Sequence, residues 1–97
     1  MPRVVFAPAL ARWRSAEPGL STGDWAVDAV GTTVRELLDA VFTSHPLLRG
    51  YVLDERGAMR HHVVAFVNGE PVRDKDALSD PAPADAEVYI FQALSGG

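Results

Sequence analysis

Thr33-Val34-Arg35-Glu36-Leu37-Leu38-Asp39-Ala40-Val41-Phe42 is the stretch whose reading decides the fold. Val34, Leu37, Leu38, Val41 and Phe42 recur at i, i+3, i+4, i+7 and i+8, which is one apolar stripe of an α-helix. Arg35, Glu36, Asp39 and Thr43 fall on the other face. Thr33 followed by Glu36 has capping-box spacing: the hydroxyl can accept from the third helical N–H, and the carboxylate can reach back. Gly31-Thr32-Thr33 breaks the preceding pattern, and Pro46 disfavours the α-conformation at His45. The spacing predicts one helix that starts at Val34, stops near His45 and must bury one face.

On the N-terminal side, residues 3–9 are strongly apolar and read as a strand, with Pro8 near its end. Residues 15–24 are turn chemistry, with two Gly, one Pro and three hydroxyls. Trp25 to Val30 reads as a second strand, so the two form a hairpin. On the C-terminal side, Leu47 to Asp54 reads as a connection into a short strand at 51–54. Glu55-Arg56-Gly57-Ala58 reads as a turn. His62 to Val67 is rich in β-branched and aromatic residues and reads as a strand. Asn68-Gly69 signals a tight turn, because both residues accept positive φ. A short strand at 71–73 would pair back, residues 74–86 are polar with one helical turn at 75–79, and Glu87 to Gln92 is the last strand.

The order β-β-α-β-β, with the helix in the crossover, implies an α+β fold: a mixed four- to five-stranded sheet with one main helix packed on one face. Its first and last strands would be parallel neighbours in the centre. Residues 1–93 form one domain in this reading, and 94–97 a flexible diglycine tail.

Composition narrows the function. The formal net charge is −4, the arginines are scattered, and Lys75 is the single lysine, so a nucleic-acid surface is not expected. With no cysteine, there is no disulfide scaffold, no Cys-ligated metal and no cysteine nucleophile. No apolar run approaches the roughly 20 residues of a membrane span, and the apolar start is interrupted too soon by Pro8 for a signal peptide. A cytoplasmic protein without membrane contact is expected.

The sequence ends Leu94-Ser95-Gly96-Gly97, directly after the last strand. Four extended residues span about 13 Å. Glycine, lacking a Cβ, lets the backbone approach another protein closely. Such an arm could enter a partner's tunnel and place the Gly97 carboxylate against ATP.

Four pieces occur in order: the capped helix Thr33-Val34-Arg35-Glu36-Leu37-Leu38-Asp39-Ala40, the strand and turn Phe66-Val67-Asn68-Gly69-Glu70-Pro71-Val72-Arg73, the last strand Asp85-Ala86-Glu87-Val88-Tyr89-Ile90, and Gly96-Gly97. Together they resemble the sulfur carriers of the ubiquitin-like β-grasp type, related to the molybdopterin synthase small subunit and the thiamine-pathway sulfur carrier. The resemblance runs over nearly the whole chain. It implies adenylation of Gly97 by a ubiquitin-activating-type enzyme, displacement of AMP by a persulfide or sulfide donor, and delivery of the resulting thiocarboxylate to a sulfur-acceptor synthase in molybdopterin, thiamine, cysteine or secondary-metabolite biosynthesis. Leu94, Ser95 and Gly96 would be read by the partner. The chain would then be a protein cosubstrate, not an enzyme; it would bind no cofactor, and the activating partner would use ATP. A ubiquitin-like modifier conjugated through Gly97, or a β-grasp interaction module with an inert tail, are the alternatives. The sequence departs from the family at Ala84-Asp85-Ala86-Glu87-Val88, where Asp85 replaces a turn glycine and would take left-handed geometry. Ala82 stands where relatives often have Leu, which predicts a smaller core contact.

Strand alternation sorts the sheet faces. Val63, Ala65, Val67, Val88 and Ile90 are assigned to the core. Phe66, Tyr89 and Phe91, with Phe6, then line the outer face as a partner-docking patch, unless the 12–24 loop covers them with Trp13 and Trp25. His61 and His62, adjacent on a strand, would point to opposite faces and could not chelate one ion. His45 sits at a helix end, where a cation suits the dipole. Asp74, Asp76, Asp80 and Asp85 lack the glycine and closing-glutamate spacing of a calcium loop. The serines lack a nucleophile elbow, and there is no phosphate-binding glycine loop.

Overall fold

The computed structural model describes residues 1–11 and 23–93. In chain order the elements are β1 (Arg3–Phe6), α1 (Pro8–Ala11), β2 (Trp25–Asp28), α2 (Val34–Ser44), α3 (Pro46–Val52), β3 (Val63–Val67), β4 (Glu70–Pro71) and β5 (Glu87–Gln92). The strands form one sheet in the order β2-β1-β5-β3-β4. β1 pairs parallel with β5 in its centre, as the crossover helix requires, and the other pairings are antiparallel.

α2 forms where its periodicity predicts. The Thr33 hydroxyl accepts from the Glu36 amide at 3.2 Å. The Glu36 carboxylate reaches back one residue beyond the cap, accepting from the Thr32 amide at 2.7 Å and the Thr32 hydroxyl at 3.0 Å. The amides of Val34 and Arg35 donate to the Asp80 and Leu78 carbonyls. The 78–82 segment therefore closes the N-terminus of the helix, and Leu78 adopts φ 56° to keep its side chain in the core.

Three readings need correction. The first strand ends at Phe6, because Pro8 opens α1 and the Ala7 carbonyl accepts from both Leu10 and Ala11. Residues 46–52 are a helix, not a connection into a strand. Pro46, which ends α2, has the fixed φ of a first helical residue and so starts α3. Leu48 and Val52, four apart, bury the inner side of α3, and only Leu53 beyond it bridges to Met59. The turn before β5 keeps its Pro83–Ala86 hydrogen bond at 2.9 Å, but Asp85 is not among the left-handed residues. The departure from glycine there is free of strain.

Smaller shifts follow hydrogen-bonding limits. β4 covers residues 70–71 instead of 71–73, and the helical turn expected at 75–79 lies one residue earlier, at 74–78, closed by the Leu78 amide on the Asp74 carbonyl at 2.9 Å. Asn68 (φ 50°) and Gly69 (φ 85°) make the expected tight turn.

The stripe of α2 lies on Val4, Phe6, Val63, Ala65, Val88 and Ile90, with Leu10, Leu48, Val52, Leu53 and Leu78 closing the rim. Val67 is half-buried against this cluster. Phe6 belongs to the core, not to the outer face. The register sets Phe6 beside Ile90 and Val5 beside Tyr89, and residues paired across a ladder share a face. Phe6 stacks on Trp25 with ring centroids 5.6 Å apart, and Trp25 in turn meets His45 edge-on at 4.7 Å. Ala82 is buried as a member of the core cluster.

Candidate functional site

The site has two parts, the point where the chain leaves β5 and the sheet face beside it. β5 pairs to its last residue, Gln92 with Val63. The Ala93 amide then donates to the His62 carbonyl at 2.7 Å. This bond fixes the position from which the last four residues depart. The predicted tail residues Leu94, Ser95, Gly96 and Gly97 lie outside the described residues, as does Trp13.

The exit is bordered by residues that precede β3. His61 and His62 occupy a turn, not the strand, so their side chains do not alternate. Their rings meet edge-on, centroids 5.8 Å apart. Among the described residues no group of three or more His, Asp and Glu is placed to hold a metal ion. The Lys75 ammonium donates to the His61 carbonyl at 3.4 Å, and Arg60 Nε to the Gly50 carbonyl at 2.9 Å. Two basic side chains, of Arg60 and Lys75, are thus held by carbonyls beside the exit.

Phe66, Tyr89 and Phe91 do share the outer face. Phe66 and Phe91 stack with centroids 5.7 Å apart, and Tyr89 and Phe91 are 5.8 Å apart. Pairing across the sheet sets Ala26, Val5, Tyr89, Phe66 and Pro71 in one row and Phe91 and Val64 in the next, nearer the exit. All three helices bury their apolar residues against the opposite face. Among the described residues, none covers these half-buried rings with a helix. Val5 was missed as a member of this face; its pairing with Tyr89 is the signal, and a run of three apolar residues, Val4-Val5-Phe6, hid it. Burial raises the Tyr89 phenol above its usual range, and the Asp24 carboxylate beside it, 3.4 Å from its hydroxyl, adds to this. The ring thus stays neutral and apolar at physiological pH.

The acidic residues serve structure. Asp74 accepts from the Ser79 hydroxyl at 2.7 Å and from the amides of Ala77 and Asp76. The Ser79 hydroxyl, with the Ala77 amide, holds the Asp74 carboxyl below its usual range. Asp80 accepts from the amides of Arg73 and Asp74, both at 2.9 Å. The carboxylates are spent on loop amides, as N-caps and Asx turns are. Arg35 binds the same loops from α2, donating to the carbonyls of Gly57 at 2.6 Å, Ala77 at 3.2 Å and Asp76 at 3.2 Å. Sequence periodicity placed Arg35 only on the solvent face. A groove of about 320 Å³ lies at the other end of β5, lined by residues including Asn68, Pro71, Arg73 and Pro83. Among the described residues no helix is long and apolar enough to cross a membrane.

Residues 20–97 match the ThiS family. Small archaeal modifier protein 1 of Haloferax volcanii is 35% identical over 72 residues, 73% of this chain and 78% of that protein. Its crystal structure superposes with a TM-score of 0.69 at 26% identity, covering 98% of this chain and 99% of that one. A chain of the Amycolatopsis orientalis BexX/CysO complex gives a TM-score of 0.73 at 25% identity, covering 97% and 99%.

Proposed function

The chain belongs to the ThiS family of small ubiquitin-like carriers and modifiers, and from that premise we propose that it carries sulfur as a thiocarboxylate on Gly97. The observation that carries this reading is the family match, which runs through residue 97 and so includes the diglycine end. In the proposed cycle a cytoplasmic ubiquitin-activating-type enzyme grips the sheet face of Val5, Phe66, Tyr89 and Phe91. The tail, leaving from the fixed Ala93, enters the enzyme's ATP site. The Gly97 carboxylate oxygen attacks the α-phosphorus of ATP, forming the acyl adenylate and releasing pyrophosphate. Sulfide attacks the acyl carbon and AMP leaves with the electron pair of the broken C–O bond, which gives the thiocarboxylate directly; a persulfide attacks in the same way to give an acyl disulfide, whose S–S bond a second thiol cleaves, leaving the thiocarboxylate and a disulfide on the donor. The thiocarboxylate then passes to a synthase. The head positions the tail and contributes no catalytic group, so the chain is a cosubstrate; the known BexX/CysO complex supports action through a partner protein.

A second reading is conjugation of Gly97 to a lysine of another protein, favoured by the name of the Haloferax volcanii relative as a modifier. Intact-mass spectrometry of the chain after incubation with its activating enzyme, ATP and a sulfur donor decides between them. Exchange of one oxygen for sulfur at the terminus is the expected result. Recovery of the unmodified acid alone overturns the carrier reading, and high-mass conjugates in cells favour the modifier.

A further inference from the structure

We propose that Asn68 is a site of spontaneous modification, at which the folded chain converts an asparagine into aspartate and isoaspartate with water as the only co-reactant. The inference stands apart from what Gly97 carries.

Asn68 is the single asparagine of the chain, and a glycine follows it. An asparagine loses its amide when the backbone nitrogen of the next residue attacks its side-chain carbonyl. Glycine obstructs this attack least, because no Cβ stands beside the nitrogen. The pair forms the exposed tip between β3 and β4. Both residues have positive φ, 50° and 85°, and nothing lies within 4 Å of where a Cβ on Gly69 would sit. Among the described residues the Gly69 amide donates to no acceptor, so its nitrogen is open to react.

The electrophile is prepared as well. Asn68 bonds twice to the start of β5. Its backbone amide donates to the Glu87 carbonyl, and its Oδ1 accepts from the Glu87 amide, both at 2.9 Å. A donor on Oδ1 polarises the side-chain carbonyl and stabilises the oxyanion that forms when Cγ is attacked. With Oδ1 held in this way, Nδ2 is the branch left to depart.

Hydroxide takes the Gly69 amide proton, and the nitrogen attacks Cγ. The N–Cγ bond forms, the Cγ–Nδ2 bond breaks, and ammonia leaves with the electron pair and a proton from water. Water then opens the resulting cyclic imide. Attack at Cγ gives aspartate. Attack at the backbone carbonyl carbon of residue 68 gives isoaspartate, in which the chain runs through Cβ and Cγ. The sum is amide plus water giving carboxylate and ammonium, with nothing oxidised or reduced.

The change falls on a working joint of the sheet. Either product adds a negative charge to a groove wall that already carries Glu70 and Asp80. Isoaspartate also lengthens the backbone of a two-residue turn whose register sets Val67 against Glu70. That turn cannot keep its register and both bonds to Glu87.

The full chain, incubated folded at mildly alkaline pH beside a sample unfolded in guanidinium, tests this by intact mass and a tryptic map. The mass change of exchanging NH2 for OH, mapped to residue 68 of the folded chain as two isomeric peptides, supports the inference. Conversion in guanidinium but not in the folded chain overturns it, because the turn then protects the amide. Conversion to aspartate alone, which bypasses the imide, or loss of ammonia from Gln92 instead, also overturns it. Gly69→Ala, which sets a Cβ beside the attacking nitrogen, should slow conversion several-fold, and an undiminished rate counts against the inference. The wild-type map decides even if that variant folds poorly. The converted fraction should melt below the parent; an equal Tm overturns the consequence for the hairpin.

Discussion

Replacing Phe66 and Phe91 with alanine together should separate docking from folding. The rings stack 5.7 Å apart on the sheet face away from the helices, and each is half-buried. Full burial of a Phe side chain contributes about 1.5–3 kcal/mol, so half burial contributes about 1 kcal/mol per ring. The stacked pair adds roughly 0.5–1.5 kcal/mol. The double variant should lose about 2.5–3.5 kcal/mol, which in a domain of this size lowers Tm by about 10–28 °C. If the rings anchor the activating enzyme, truncation costs at least about 2 kcal/mol of binding, or a roughly 30-fold rise in KM. Val63→Ala is the control. Val63 is fully buried on the opposite face of the same strand, and its truncation costs about 2 kcal/mol of stability while leaving the outer face intact. The assay is ATP–pyrophosphate exchange by the activating enzyme at varied carrier concentration, run below the Tm of every variant. The double variant should raise KM and Val63→Ala should not. Equal KM values, or equal rises, would refute the assignment of this face to docking.

Deletion of Gly97 should abolish exchange and leave Tm unchanged, checked by calorimetry on the same sample; activity in the deletion variant would remove Gly97 from the mechanism. Two glycine substitutions should act with opposite sign. Gly57 has φ 86°, and an added Cβ would sit 3.4 Å from the Arg35 guanidinium, so Gly57→Ala should cost about 1–2 kcal/mol. Gly50 lies within α3 with open space around it, so Gly50→Ala should gain up to about 1 kcal/mol; both are read as Tm shifts. Acid should destabilise the head through carboxylates whose pKa is lowered by folding. The Thr32 amide and hydroxyl lower that of Glu36, and the Ser79 hydroxyl and Ala77 amide lower that of Asp74. A group depressed in the folded state stabilises above its unfolded pKa, near 4, and that contribution disappears as pH falls through the folded value. Tm should fall steeply below about pH 4, and the slope should be shallower in Glu36→Gln/Asp74→Asn.

How much of this was legible depended on whether neighbouring signals agreed. In α2, periodicity, cap and stop coincide, and the helix appears as read. β5 and the Asn68-Gly69 turn are equally unambiguous. α3 is hard to read because Gly50 weakens the helical pattern and Pro46 signals a stop, although a proline that ends one helix can start the next. Phe6 was misplaced because Val4-Val5-Phe6 has no polar residue to mark the solvent side. Its face is set by the register with β5, a long-range fact. The two histidines misled for a related reason: alternation holds only within a strand, and β3 begins at Val63. On the candidate site, the aromatic trio was readable from alternation alone. The bonds of Lys75 and Ala93 to the adjacent carbonyls of His61 and His62 were not, because they join residues far apart in sequence.

The two parts of the proposed site lie at one end of the sheet, and this bears on how so small a protein could be specific. Phe91 is two residues from Ala93, and its partner Val64 is two from His62. A protein seated on the rings therefore meets the departing tail at a point fixed by one hydrogen bond. Loss of that order should be felt in catalysis before binding, since the acyl end would wander while the face still docked. The groove near Asn68 and Arg73 is separated from Ala93 by the length of β5, about 20 Å, beyond the roughly 13 Å reach of four residues. If the ringed face docks partners as proposed, its charged border carries both signs: Asp24, then Asp28 and Glu87 with Arg3 paired between them, so a partner must match that mixed pattern.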